Sequence, residues 1–394
     1  MSIARPMRKE SNSYEVVIVG AGLAGLSCAM TISQTKRVLL IECRDEKLFA
    51  LRPQLIHLKQ TMINNLQKLC TSEKDGEFFD KLRFNCHFAI KDIQHFLHSK
   101  ISTRCTILFN SKISSINMEN GDLHISQDLG AIQKNIKANF EKFFFLTEGG
   151  NRETAKLLGQ FIQFQPVVGR PQLDNVTACF TITKNNEAPI MSCPVDQIGL
   201  IIDGAYCGYI YYERWHKNIT TMKISITMNV SPERAYAFKH DKSLMARYLT
   251  HCVASIFDDS ELKIEITKSD KEGEAGLKKD DLKAAFFTMK FMEVIQAAFM
   301  YKGRTVASGG DGKRDPDFFL GHGGCDALDD GIKLMQLANQ NLTVEDYNAY
   351  SKMISTKIAS GTQQFQNILE KQPNPNMQKY YILKVDGLRR YNLI

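Results

Sequence analysis

The stretch Tyr14-Glu15-Val16-Val17-Ile18-Val19-Gly20-Ala21-Gly22-Leu23-Ala24-Gly25-Leu26 decides how the rest of the chain is read. Val16 to Val19 form a short unbroken apolar run that stops at a glycine, the pattern of a strand buried on both faces. Leu23 to Ser33 then has helical composition, and Arg37 to Glu42 reads as a second buried strand. Strand, glycine turn, helix and strand make a βαβ unit, with G-x-G-x-x-G at its turn. The first glycine permits the turn, the second lets a pyrophosphate approach the backbone, and the third lets helix and strand pack closely. The phosphates of a dinucleotide would sit at the helix start, where free N–H groups and the helix dipole favour an anion. Gly20, Gly22, Leu23, Ala24 and Gly25 are the candidate loop residues. Glu42, near the ~20-residue spacing of the fingerprint's acidic residue, is placed to accept hydrogen bonds from a ribose. At this stage FAD and NAD both remain open.

The same three glycines explain why Tyr14 to Met30, though preceded by Arg5, Arg8 and Lys9, is read as a nucleotide loop and not as a secretory leader. The 394 residues carry 50 basic and 43 acidic side chains, a formal net charge of +7 with the signs interleaved, as between Lys268 and Lys283. That balance describes a solvated surface and excludes a nucleic-acid-binding chain. Ten cysteines (28, 43, 70, 86, 105, 179, 193, 207, 252 and 325) include no C-x-x-C pair. No metal site is therefore expected, and a reducing, cytoplasmic setting is. No apolar run approaches the ~20 residues of a membrane span.

Apolar residues at helical spacing mark Thr61 to Cys70 and Ala89 to Lys100, followed by strands at Thr106 to Phe109, Leu123 to Ser126 and Phe143 to Leu146. Beyond Gly159 the pattern changes. Met222, Ile224, Ile226, Met228 and Val230 alternate with polar residues, the period of a strand with one buried face. Leu200 to Tyr212 and Phe286 to Ile295 also read as strands, and Ser243 to Phe257 as a helix. Further helices are expected over Cys325 to Asn339 and after Thr343, whose partner Asp346 completes an N-cap. The expected fold is α/β: a Rossmann-like cofactor domain with an inserted antiparallel-sheet substrate domain and C-terminal helices. The divisions are a flexible lead-in (1–13), the cofactor domain (14–159 and 304–371), the inserted domain (160–303) and an unassigned tail (372–394).

Three further segments point to FAD. Gly310-Asp311 follows a predicted strand, and Gly321-His322-Gly323, then Gly324 and a helix, come after it. This arrangement resembles the second FAD fingerprint of class A flavin monooxygenases of the p-hydroxybenzoate hydroxylase type. The resemblance implies that Asp311 holds the ribityl chain and that the following helix start faces the flavin, where it can stabilise negative charge. Glu148-Gly149-Gly150 stands in the place of that family's Asp-Gly motif, with Glu for Asp. Lys91 stands where the family usually has an arginine near the FAD phosphates; a plain surface lysine is the competing reading. Within the family the spacing is most similar to MICAL-type monooxygenases: Arg52-Pro53-Gln54-Leu55-Ile56-His57-Leu58 resembles their R-x-x-x-L-H-L segment, and GD-x4-P-x4-G-x-G fits Gly310 to Gly323 with Pro316 in place. The matching segments cover residues 14–60, 88–97, 143–159 and 304–335.

What the resemblance implies is an FAD-dependent monooxygenase reduced transiently by NAD(P)H, oxygenating a small-molecule or protein substrate through a flavin hydroperoxide. Arg44 and Arg52 join the cofactor-binding candidates, and His57 and His322 are the candidate catalytic residues beside the flavin. For His57, capping a loop is an equal alternative. The competing functions are an FAD reductase or oxidase without oxygen insertion, and an FAD-retaining binding protein without turnover. Trp215, preceded by Tyr209, Tyr211 and Tyr212, reads first as sheet packing and second as a pocket wall. Cys325 adjoins the flavin-facing loop without any motif for a covalent link. Lys278 to Asp281 reads as a solvated turn, and Lys313-Arg314-Asp315 as a polar surface stretch.

Overall fold

A computed structural model describes residues 12–50, 55–68, 75, 78–79, 87–167, 172–185, 187–190, 199–202, 205–208, 211–215, 218–257, 261–269, 278, 281–315, 323–370 and 380–383. Strand β1 (Ser13–Val19), helix α1 (Leu23–Ile32) and strand β2 (Val38–Ile41) form the expected βαβ unit. A small antiparallel pair, β3 (Leu55–His57) with β4 (His87–Ala89), flanks α2 (Gln60–Gln67). Helix α3 (Ile90–Ile101) leads to β5 (Thr106–Leu108), and β6 (Ser111–Asn117), β7 (Asp122–Asp128) and β8 (Gln133–Leu146) follow as a meander. The short helix α4 (Glu153–Leu157) ends this first part.

Strand β8 plays two parts, and its sequence says why. Its first half, Gln133 to Asn139, is mostly polar and pairs antiparallel with β7. The second, Phe143 to Leu146, is wholly buried and lies parallel to β1 on one side. A strand covered on both faces can be continuously apolar, which is why only this half was visible as a strand from sequence.

The middle of the chain builds a separate layer. After β9 (Phe164–Pro166) comes β10 (Leu173–Thr183), the centre of a five-stranded antiparallel sheet. The stretch read as one strand from Leu200 to Tyr212 is three: β11 (Gly199–Ile202), β12 (Ala205–Gly208) and β13 (Tyr211–Trp215). Strand β14 (Asn218–Asn229) pairs with β10 and β13. Helices α5 (Pro232–His240) and α6 (Lys242–Ala254) cover the sheet, α5 being a helix that the sequence reading left out. Ser231 caps α5 and Asp241 caps α6 by accepting backbone N–H groups. Strands β15 (Lys263–Ile266) and β16 (Ala284–Met289) complete the sheet, and β17 (Met292–Val294) pairs with β9. The core beneath α5 and α6 is distinct from that of the first sheet.

The chain then returns. Strands β18 (Ala298–Tyr301) and β19 (Arg304–Ser308) give the first sheet the order β18-β19-β8-β1-β2-β5, with β19 parallel to β8. Helix α7 (Gly323–Ala338) crosses α1 so closely that a Cβ at Gly331 would fall 1.8 Å from the Ser27 hydroxyl. Helix α8 (Val344–Glu370) starts at the predicted cap, Thr343 and Asp346 bonding each other reciprocally. The fold is thus the expected Rossmann-like α/β domain with an inserted antiparallel sheet and C-terminal helices. The stretch left unassigned at the end holds a strand, β20 (Tyr380–Leu383), parallel to β11. Among the described residues no helix is long and apolar enough to cross a membrane.

Candidate functional site

The glycine loop is built from three different requirements. Gly20 has φ +101°, and a Cβ there would meet the Thr147 carbonyl oxygen at 2.6 Å. A Cβ on Gly25 would lie 2.0 Å from the Gly20 carbonyl oxygen, so this glycine is demanded by helix-on-strand contact. Gly22 differs. It is the N-cap of α1, and a Cβ there would touch nothing closer than the Thr147 oxygen at 3.8 Å. Among the described residues no atom requires a glycine at 22, and the open space over the helix start is where a pyrophosphate would lie.

Besides Glu42, two side chains not picked out from the sequence hold this loop from outside it. Thr147, which follows β8, donates its hydroxyl to the Val19 and Gly20 carbonyls at 2.8 and 2.9 Å. Gln94, on α3, donates Nε2 to the Ala21 carbonyl at 3.0 Å. Its Oε1 is buried without a hydrogen-bond partner among the described residues. A buried amide oxygen in that state is costly unless a ligand donor meets it. Polarity on the buried face of an amphipathic helix was the available signal, since Gln94 lies next to Ile93 on that face.

Glu42 follows β2 as expected, but its carboxylate is already engaged. Oε2 accepts the Ala21 N–H at 2.7 Å, and Oε1 accepts the Arg44 N–H and Nε at 2.9 and 2.7 Å. Burial would raise this carboxyl; the Arg44 guanidinium and the two backbone N–H groups outweigh burial and hold it below the usual range. Arg44 is accordingly directed at Glu42. Glu148 is also occupied: its two oxygens accept the N–H groups of Thr154 and Ala155 and cap α4. Lys91 is the second residue of α3 and is half-buried.

The second fingerprint packs directly onto the first. Gly310, at φ +58°, would place a Cβ 3.1 Å from the Ala24 side chain, and Asp311 sits half-buried in the turn over Gly310–Gly312. Leu23 and Ala24 are buried at this junction. The turn is held by charges that the sequence reading placed on the surface, and the structure corrects that reading. Lys313 is 2% exposed and pairs with Asp330 at 2.5 Å. Asp330 in turn accepts the Gly310 N–H at 2.8 Å and the Tyr350 hydroxyl at 3.1 Å. Burial draws the Lys313 ammonium below the usual lysine range, against the pull of Asp330. Asp315 pairs with Arg152 at 2.6 Å, and Arg152 also donates to the Asp311 carbonyl at 3.2 Å. Three successive charges pointing inward carry no periodic signature, so only the tertiary contacts reveal them.

His57 ends β3 with an exposed side chain, while its carbonyl accepts the Cys325 thiol at 3.2 Å. That bond places His57 beside the start of α7. Gly323 opens the helix, and Gly324 is pressed against Ile56, where a Cβ would be 2.4 Å away. Cys325 is buried, and burial raises its thiol pKa. Arg52, Pro316, Gly321 and His322 lie outside the described residues, as do the positions of Tyr209 and Asp280. Trp215 ends β13.

Residues 15–50 match the family model of the FAD binding domain. The glycine loop thus lies within a segment that matches an FAD-binding domain. No curated protein sequence matches the chain. Among solved structures, p-nitrophenol 4-monooxygenase from Pseudomonas putida shares 12% identity at a TM-score of 0.61, over 92% of this chain and 91% of that one. A flavoprotein/dehydrogenase from Cytophaga hutchinsonii shares 13% at a TM-score of 0.60, over 92% and 90%. The myxobacterial chondrochloren halogenase, an FAD-dependent halogenase, shares 11% at 0.61, over 92% and 83%. The likeness to all three is a likeness of fold.

Proposed function

We propose that the chain is an FAD-dependent monooxygenase reduced by NAD(P)H. The observation that carries this reading is the junction of the two fingerprints: Gly310 packs on Ala24 at the start of α1, so that one ligand can run from the glycine loop to Asp311. Gly22 and the start of α1 would hold the pyrophosphate, Gln94 Oε1 would accept a hydroxyl, and Asp311 would hold the ribityl chain. With Glu42 closed by Ala21 and Arg44, the ribose contact falls to whatever edge of that carboxylate a ligand can still approach. Bound FAD would supply hydride acceptance and oxygen activation.

The protein's share is placement and exclusion of water. Residues 14–159 with 304–371 would form the cofactor unit and 160–303 the substrate unit, the substrate lying between the inserted sheet and the start of α7. His57 and His322 are the proposed groups beside the reacting ring. The finer likeness to MICAL-type enzymes rests on the spacing of Arg52 to Leu58 and Gly310 to Gly323, and a protein substrate rests on that likeness alone. The free thiols of Cys28, Cys43, Cys105, Cys179, Cys252 and Cys325 favour a reducing cytoplasmic setting.

The test is anaerobic addition of NADPH to the purified yellow protein, followed by air. Bleaching of the flavin band, with oxygen uptake matched by an oxygenated product, is the expected result. Bleaching without oxygenated product would assign a reductase or oxidase instead, and a colourless protein would remove the FAD assignment.

A further inference from the structure

Strands β11 and β12 form a hairpin, antiparallel from Leu200 opposite Gly208 to Ile202 opposite Ala205. A two-stranded hairpin is marginal in water, and a third strand is what makes such a sheet stable. Here the third strand comes from far along the chain. Gly199, Leu200, Ile201 and Ile202 stand in parallel register with Tyr380, Tyr381, Ile382 and Leu383 of β20, giving the order β12-β11-β20. Strand β12 in turn packs against β14, so this small sheet rides on the inserted unit.

The helix that precedes β20 is fixed to the first sheet. The Tyr347 hydroxyl of α8 donates to the Ser308 carbonyl at 2.7 Å. The Asn348 amide accepts the Ala298 N–H at 2.9 Å and donates to the Ala298 carbonyl at 2.8 Å, closing the outer edge of β18 as a neighbouring strand would. Arg314 donates to the Ser351 carbonyl at 3.0 Å. Nine residues, Lys371 to Lys379, join α8 to β20, a reach of at most about 35 Å. One continuous segment is therefore held by the first sheet at one end and by the inserted unit at the other. The two units also touch directly, for β13, next to β14, packs on β3 and β4. Strand β3 ends at His57, whose carbonyl accepts the Cys325 thiol at the start of α7.

We propose that β20 is a releasable strap: paired with β11 it holds the inserted unit against β3 and β4, and its detachment lets that unit swing away and admits substrate to the flavin. The pairing is the yielding element for two reasons. It is four residues long and parallel, the weaker arrangement per residue. Its register partners, 199 and 380, lie at opposite ends of a long loop, so no turn keeps β20 in place once it lets go. Strands β10 and β14, by contrast, share a register from Asn175 to Thr183. Short, non-local elements of this kind are the first to open locally. Admission of substrate rests on the FAD reading above; the strap itself does not.

The test is hydrogen exchange of the full chain, read by mass spectrometry, in a Tyr381→Pro/Ile382→Pro double variant. Neighbouring residues of a strand turn their N–H groups to opposite edges, so the pair removes a donor facing β11 whichever way β20 alternates. Ile382→Ala, which keeps every N–H, is the control. In the double variant, residues 199–208 should exchange about tenfold faster, and residues 55–58 and 87–89 should speed up with them, while β1 and β2 stay as in the parent. Iodide should also quench the flavin fluorescence more strongly. Unchanged exchange at 199–208 overturns the strap, as does faster exchange there with 55–58 and 87–89 unmoved, or an Ile382→Ala protein that behaves like the double variant. Faster exchange at all three segments with unchanged quenching overturns the admission of substrate. A colourless protein that shows the full exchange pattern sinks the FAD reading and leaves the strap standing, whereas a yellow protein without the pattern sinks the strap alone.

Discussion

Glu42 reaches back from the end of β2 to accept the Ala21 N–H at 2.7 Å, so the carboxylate that closes one strand also fixes the glycine turn that closes its neighbour. The same side chain is clamped by Arg44.

A pH dependence follows from this arrangement. The Glu42 carboxyl is held below its ordinary value, so its contribution is complete above the unfolded carboxyl pKa of about 4.3 and is lost as pH falls through the lower folded value. Flavin retention should therefore fall at acid pH. Glu42→Gln should release more flavin at neutral pH and flatten the acid limb, measured by ultrafiltration of free flavin. Superimposable curves for parent and variant would contradict the role given to Glu42.

Gly22 and Gly25 should respond oppositely. Gly25→Ala forces a methyl onto the Gly20 carbonyl and should cost about 1–3 kcal/mol of stability or more, read from urea unfolding. Gly22→Val should keep the fold and lose FAD, because only the ligand's space is filled. A Gly22→Val protein that purifies with full flavin would reduce the loop to a turn.

Asp311→Ala should weaken FAD binding by about one to two orders of magnitude, the loss of one charge-assisted hydrogen bond of roughly 1.5–3 kcal/mol. Equilibrium dialysis of the apoprotein measures it. An unchanged dissociation constant would mean the second fingerprint is misassigned.

Asp315→Ala, by contrast, acts on the fold. Removing it leaves the guanidinium of Arg152 buried without its carboxylate, a change that typically costs about 3–5 kcal/mol. Thermal unfolding should show a large drop in Tm. A variant as stable as the parent would mean that Arg152 finds equivalent partners in the carbonyls of Gly150 and Met292.

Much of the fold was legible because its signals are local. Val16 to Val19, Val38 to Ile41 and Phe143 to Leu146 are short apolar runs that only a doubly covered strand accommodates, and Gly20 and Gly25 sit where turn and packing demand them. What escaped is non-local. Thr147, Gln94 and Asp330 do their work on residues from other parts of the chain, Asp330 on Lys313 among them, and no spacing announces such partners. Helix α5 escaped for another reason: only Ala235 and Phe238 of its residues are buried, too few to set a helical period.

The parallel pairing of β19 with β8 has a consequence for biosynthesis. Strand β19 lies beyond the whole inserted sheet in sequence, yet it is the inner neighbour that shields β8 from the edge. Until residues 304–308 leave the ribosome, β8 presents an open apolar border, and only a long loop closure can seal it. The emerging chain should therefore rely on chaperone protection until that point, and the nascent protein gains its cofactor cradle only after the whole inserted sheet has been made.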